Sequence, residues 1–165
     1  MTSLDFKEPF YSLWLMPEDP EPFQSWIEEN NQLVYPPHLT IVTKLDEKDM
    51  KKGIFEDLEH LSLIPRRLHF ADSLTMTLFV EFCLDVRLWN LRNHCLQKLD
   101  IEDNERPFNP HMSLLYGKLN FEDYKKKKAL YDQNLPERVS FNKIWLQKIH
   151  GTPDKWSTQD EFILG

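Results

Sequence analysis

Apolar and polar positions along the chain switch repeatedly between a period of two and a period near 3.6, and these switches predict the elements. Phe10-Tyr11-Ser12-Leu13-Trp14-Leu15-Met16 is rich in strand formers, apolar on both faces at its centre and stopped by Pro17, so it predicts a strand inside a sheet. After an acidic, proline-rich turn, Phe23, Trp26 and Ile27 fall at i, i+3 and i+4 and predict a helix over 22–30, with proline in its first turn. A second helix is predicted from Asp46 to Leu61, with Met50, Ile54, Leu58 and Leu61 inward and Gly53 weakening it. Strands are predicted over 65–74 and 76–84, and a helix over 85–99 carrying Val86, Leu88, Trp89, Leu91, Leu96 and Leu99. A polar, turn-prone stretch fills 100–109. Asn120 is the expected N-cap of a helix from Phe121 to Tyr131, and strands are expected over 138–149 and 161–164.

Two further predicted strands nearly repeat each other. Tyr35-Pro36-Pro37-His38-Leu39-Thr40-Ile41-Val42 and Phe108-Asn109-Pro110-His111-Met112-Ser113-Leu114-Leu115 each run proline, histidine, apolar residue, hydroxyl residue, then apolar residues. Alternation places His38 and Thr40 on one face, and His111 and Ser113 on another, with the apolar residues opposite. Each proline lacks a ladder donor and marks the strand's start. The bare tripeptide recurs at His60-Leu61-Ser62 and His150-Gly151-Thr152, but His60 falls in a helical pattern and His150 enters a turn at Gly151 and Pro153. Context separates the pair at 38 and 111 from these two.

Both halves of the chain show the order strand, helix, motif strand, helix, strand. Such units facing one another across a pseudo-twofold axis would bring the motif strands to a shared cleft, in an α+β protein of two antiparallel lobes forming one domain over 1–165. The 165 residues are 41% hydrophobic and 13% aromatic, which excludes disorder, and the formal charge of −7 argues against tight binding of long nucleic-acid backbones. Cys83 and Cys95 lack metal-ligand spacing and read as buried free thiols of a reducing compartment. No stretch reaches membrane-spanning length and the N-terminus lacks a leader pattern. A soluble, monomeric protein of the cytoplasm or nucleus is expected.

Paired His-x-Thr and His-x-Ser strands in a small α+β chain resemble the two-histidine (2H) phosphoesterase superfamily. The cyclic phosphodiesterase branch is similar in three further features: the Tyr11-Ser12-Leu13-Trp14 opening strand, the run from His111 to Tyr116 and Gly117, and a late strand ending in a loop with Trp156. The resemblance implies a bilobal fold and, as substrates, nucleoside 2',3'-cyclic phosphates opened to 2'-phosphates, and ADP-ribose 1'',2''-cyclic phosphate.

The residues themselves point to compatible chemistry. Opening a cyclic phosphodiester needs a base for water and an acid for the leaving alkoxide, on opposite sides of phosphorus; a free imidazole titrates near neutrality, so His38 and His111 can supply both, in either order. Thr40 and Ser113 are candidate donors to the non-bridging oxygens, and Tyr116, like Phe108, is a candidate base-stacking ring beside the cleft. No metal or cofactor is expected, since no carboxylate-histidine ligand cluster stands out. His69, His94 and His150 read as non-catalytic. Arg66, Arg67 and the Lys125–Lys128 run read as solvated. Two competing readings stay open: an enzyme for RNA ends or 2',5'-linked oligoadenylate, and a nucleotide-binding module without turnover.

Overall fold

The computed structural model describes residues 4–50, 58–103 and 107–165. Among the described residues two antiparallel sheets and three helices make an α+β protein, as the mixed periodicities predict. The first sheet joins β1 (Phe6–Pro17), β2 (Leu39–Leu45), β3 (Leu61–Leu63), β7 (Val139–Gly151) and β8 (Ser157–Ile163). β7 pairs with β1 along one edge, while β3 and β8 lie end to end along the other. The second sheet runs β4 (Pro65–Phe70), β5 (Leu78–Phe82), β6 (His111–Leu115).

The helices are α1 (Phe23–Asn30), α2 (Val86–Leu99) and α3 (Phe121–Asp132). Asp85 and Asn120 cap the last two by accepting from the backbone N–H of Arg87 and Asp123. Each lobe is not one half of the chain. β7 and β8 return to the first sheet, and the helices cross over: α1 packs on β6 and α2 on β2. The repeated unit is therefore β1-α1-β2 against β5-α2-β6, with each helix covering the other unit's motif strand.

Side chains close both edges of the second sheet, where unpaired backbone would otherwise be exposed. At the C-terminus of α1, Asn31 donates to the carbonyl of Leu114 at 2.9 Å and accepts from the N–H of Tyr116 at 3.2 Å. At the other edge Asp132 accepts from Leu68 N–H at 2.7 Å and Lys128 donates to the Leu68 carbonyl at 3.1 Å. Lys128 is thus a docking group rather than a solvated lysine.

The helix expected over 46–61 is not found in its described parts. A single 3-10 turn covers Glu47–Asp49, and Leu61 begins a strand pairing with Phe141, so His60 precedes a strand rather than riding a helix. Leu61 and Leu63 alternate inward around Ser62, a period-two signal too short to outweigh the helical pattern before it. Gly53 and Ile54 lie outside the described residues. β1 starts earlier than expected, at Phe6, and the strands expected over 65–74 and 76–84 shorten to β4 and β5. Cys95 is buried and burial pushes its thiol up to about 12, whereas Cys83 is half-buried. No helix among the described residues is long and apolar enough to cross a membrane.

Candidate active site

The two lobes meet over a cavity of about 610 Å³, lined by His38, Thr40, His111, Ser113 and Tyr116. All five residues singled out in the sequence are thus brought together. β6 begins at His111, directly after Pro110, as expected; β2 begins at Leu39, so His38 sits one residue before its strand. Trp14 stands opposite Thr40 in the β1–β2 ladder and Phe79 opposite Ser113 in the β5–β6 ladder. Each motif hydroxyl therefore has an aromatic ring beside it on its own face.

Each histidine is clamped identically by its own chain. His38 Nδ1 donates to the Pro36 carbonyl at 2.7 Å and His111 Nδ1 to the Asn109 carbonyl at 2.8 Å, two residues back in both cases. A carbonyl only accepts, so each Nδ1 carries its hydrogen, and in the neutral ring Nε2 is the nitrogen that bears the lone pair. The surroundings then differ. His38 is 5% exposed and stacks on Trp14, whereas His111 is half-exposed with Phe79 edge-on at 5.4 Å. Burial lowers the His38 pKa to about 3; the Pro36 carbonyl opposes this shift and the charge of nearby His111 adds to it.

The hydroxyls differ as well. Ser113 Oγ donates to the Thr75 carbonyl at 2.8 Å, while the Thr40 hydroxyl has no hydrogen-bond partner among the described residues. Tyr116 lies against Tyr35, ring centroids 4.3 Å apart, and burial holds its phenol protonated far above neutrality. Tyr35 in turn donates to the Ser113 carbonyl at 3.3 Å. Phe108 touches the cavity but is 8% exposed, with the Arg92 guanidinium 4.6 Å over its ring, so its packing is that of a core residue.

Three contributors were not legible as site residues. Trp156 reaches the cavity from the loop after β7, its ring edge-on to both Trp14 and Tyr116 at 6.0 and 5.8 Å. Gly151, at φ +74°, turns the chain there, and its carbonyl accepts from Trp156 Nε1 at 3.2 Å. Arg92 is 2% exposed; its Nε donates to the Ile41 carbonyl at 3.1 Å, and its two terminal nitrogens each reach the Asp103 carboxylate at 2.7 Å. It ties the first motif strand to the segment leading into the second. Lys44 lines the cavity further along β2. His69, His94 and His150 are not among the lining residues, and Arg67 is held by Glu81 at 2.9 Å.

No protein-family model and no curated protein matches the sequence. Solved structures do. The apo form of Escherichia coli LigT superposes with a TM-score of 0.60 at 14% identity, covering 95% of this chain and 99% of that one. LigT complexed with 3'-AMP gives 0.57 at 12% identity over 98% and 99%, and a structure described as a phosphoesterase gives 0.59 at 13% over 95% and 99%. The chain therefore has the bilobal LigT-like fold, which is the fold that its paired His-x-Thr and His-x-Ser motifs imply.

Proposed function

We propose that this protein is a metal-independent phosphodiesterase that opens small nucleotide cyclic phosphates. The observation that carries the reading is the matched pair of clamps: two imidazoles fixed by Nδ1 donation to the carbonyl two residues back, one in each lobe, with a hydroxyl beside each in one cavity. A binding module has no use for two such acid-base groups. A cavity of about 610 Å³ is of nucleotide size rather than a track for a long strand.

In this reading a water oxygen attacks phosphorus and its proton passes to His38, whose imidazole stays neutral at physiological pH and so has its lone pair to offer. The bond from phosphorus to the 3'-oxygen breaks, and His111 donates the proton that the 3'-alkoxide needs. The product is a 2'-phosphate. Thr40 and Ser113 stabilise the charge growing on the non-bridging oxygens, and Tyr116 walls the cavity behind them. The same steps open ADP-ribose 1'',2''-cyclic phosphate to ADP-ribose 1''-phosphate. LigT's complex with 3'-AMP adds that a protein of this fold takes a nucleotide monophosphate.

The test incubates the protein, in excess chelator, with a nucleoside 2',3'-cyclic phosphate and separately with ADP-ribose cyclic phosphate, and identifies the phosphate isomers. Opening to the 2'-phosphate is expected, with His38→Ala and His111→Ala each losing about 10²–10⁴-fold. Activity abolished by the chelator, or preserved in both variants, overturns the mechanism.

A further inference from the structure

We infer that Lys44 sets substrate preference by engaging a second phosphate, beyond the cyclic one; this rests on the phosphodiesterase reading above. Among the described residues lining the cavity, Lys44 is the one lysine or arginine. Its backbone is unusual. Between Tyr11 and Leu13 β1 advances by two residues while β2 retreats from Leu45 to Val42, by three, so one extra residue bulges from β2. Lys44 sits in that bulge at φ +57°, in the left-handed region.

Glycine is the residue that takes this position in a bulge without strain, whereas a residue with a Cβ is strained there. What the strain achieves is direction. Neighbouring residues in a regular strand point to opposite faces, yet Thr43 and Lys44 both line the cavity. Thr43 Oγ1 and Ser12 Oγ share a hydrogen bond of 2.7 Å, which fixes the strand beside the lysine. Among the described residues the Lys44 ammonium makes no ion pair, in a chain whose formal charge is −7. An ammonium lining a cavity on an acidic protein attracts an anion there.

The place of that anion follows from the strand. Lys44 lies four residues beyond Thr40 on β2, on the order of 10 Å along the bulged strand. Thr40 addresses the cyclic phosphate, so Lys44 addresses a second anionic group elsewhere on the same ligand. A 5'-phosphomonoester, a diphosphate or an upstream phosphodiester would each supply it.

The test titrates the protein calorimetrically with adenosine 2'-phosphate and with three ligands carrying a second phosphate: adenosine 2',5'-bisphosphate, ADP-ribose 1''-phosphate and a diadenylate ending in a 2'-phosphate. At least one of the three is expected to bind about tenfold more tightly than adenosine 2'-phosphate, and which one identifies the source of the second phosphate. The advantage should vanish in Lys44→Gln, persist in Lys44→Arg and shrink with added salt. Equal affinities for all four ligands, or an advantage that survives Lys44→Gln, overturns the assignment. If adenosine 2'-phosphate does not bind and no cyclic phosphate is opened, the phosphodiesterase reading itself falls and this one with it.

Discussion

His38 lies flat on Trp14, with ring centroids 3.5 Å apart and planes 8° from parallel. A face-on indole attracts a cation, which alone would favour the imidazolium. Burial acts the other way and wins, leaving the pKa at about 3 rather than 6.5.

Stability should therefore depend on pH through this residue. The unfolded chain takes up a proton on His38 near pH 6.5 and the folded chain only near 3. Between those values the unfolded state holds more protons, so stability is lost as pH falls through the window, by at most about 1.4 kcal/mol per pH unit from this group. Above the window His38 adds no slope. Urea midpoints across the window should drop less steeply with acid in His38→Gln than in the parent; the same slope in both would place the titration elsewhere.

Ser113 and Thr40 predict unequal losses. The Ser113 proton is committed to the Thr75 carbonyl at 2.8 Å, whereas the Thr40 hydroxyl faces the cavity without such a partner among the described residues. Thr40→Val should lower kcat by about 10²–10³-fold, the scale of a lost oxyanion donor, and Ser113→Ala by only about tenfold. Equal losses would mean that Ser113 leaves Thr75 and turns to the substrate in the complex.

How much of this was legible in sequence depends on the range of the interaction. His38, Thr40, His111 and Ser113 are set by local alternation, so the period-two pattern placed them on their faces before any tertiary fact was known. Asn120 and the helix over 121–131 follow from capping and local spacing in the same way. Arg92 is different. In sequence it is a charged residue on an amphipathic helix, and its burial depends on Asp103 and on the Ile41 carbonyl 51 residues away. Lys44 escaped because a bulge is a property of two paired strands, and no residue near it carries glycine's signal. The crossing of α1 and α2 between lobes was hidden for the same reason: strand, helix and motif strand follow in the expected order in each half, but order does not say which sheet a helix covers.

Trp156 offers a way to alter the site without touching its polar groups. It packs against Phe6, Trp14, Tyr35 and Tyr116, and so helps keep water from the His38–Trp14 stack. Since burial is the main cause of the low His38 pKa, Trp156→Ala should raise it toward 6.5 by at least about one unit. An NMR titration of the imidazole resonances would show this. An unmoved pKa would mean that Trp14 and Tyr35 shield His38 on their own.

The Arg92–Asp103 pair predicts a large loss of stability from a single neutralisation. Their side chains are 2% and 11% exposed, and two bonds of 2.7 Å join them. Two buried charges cancel much of each other's desolvation cost, so removing one takes from the other its two-bonded partner. Arg92→Met and Asp103→Asn should each cost about 3–5 kcal/mol, with little dependence on salt because the pair is shielded from solvent. The double replacement Arg92→Met with Asp103→Leu should recover a large share, since both buried charges are then removed together. Arg92→Lys separates packing from geometry: it keeps the charge but cannot span Asp103 and the Ile41 carbonyl with one planar fork. Ile41 adjoins Thr40, so in Arg92→Lys the activity should fall by more than the loss of folded protein accounts for. Activity that tracks the folded fraction alone would confine Arg92 to stability.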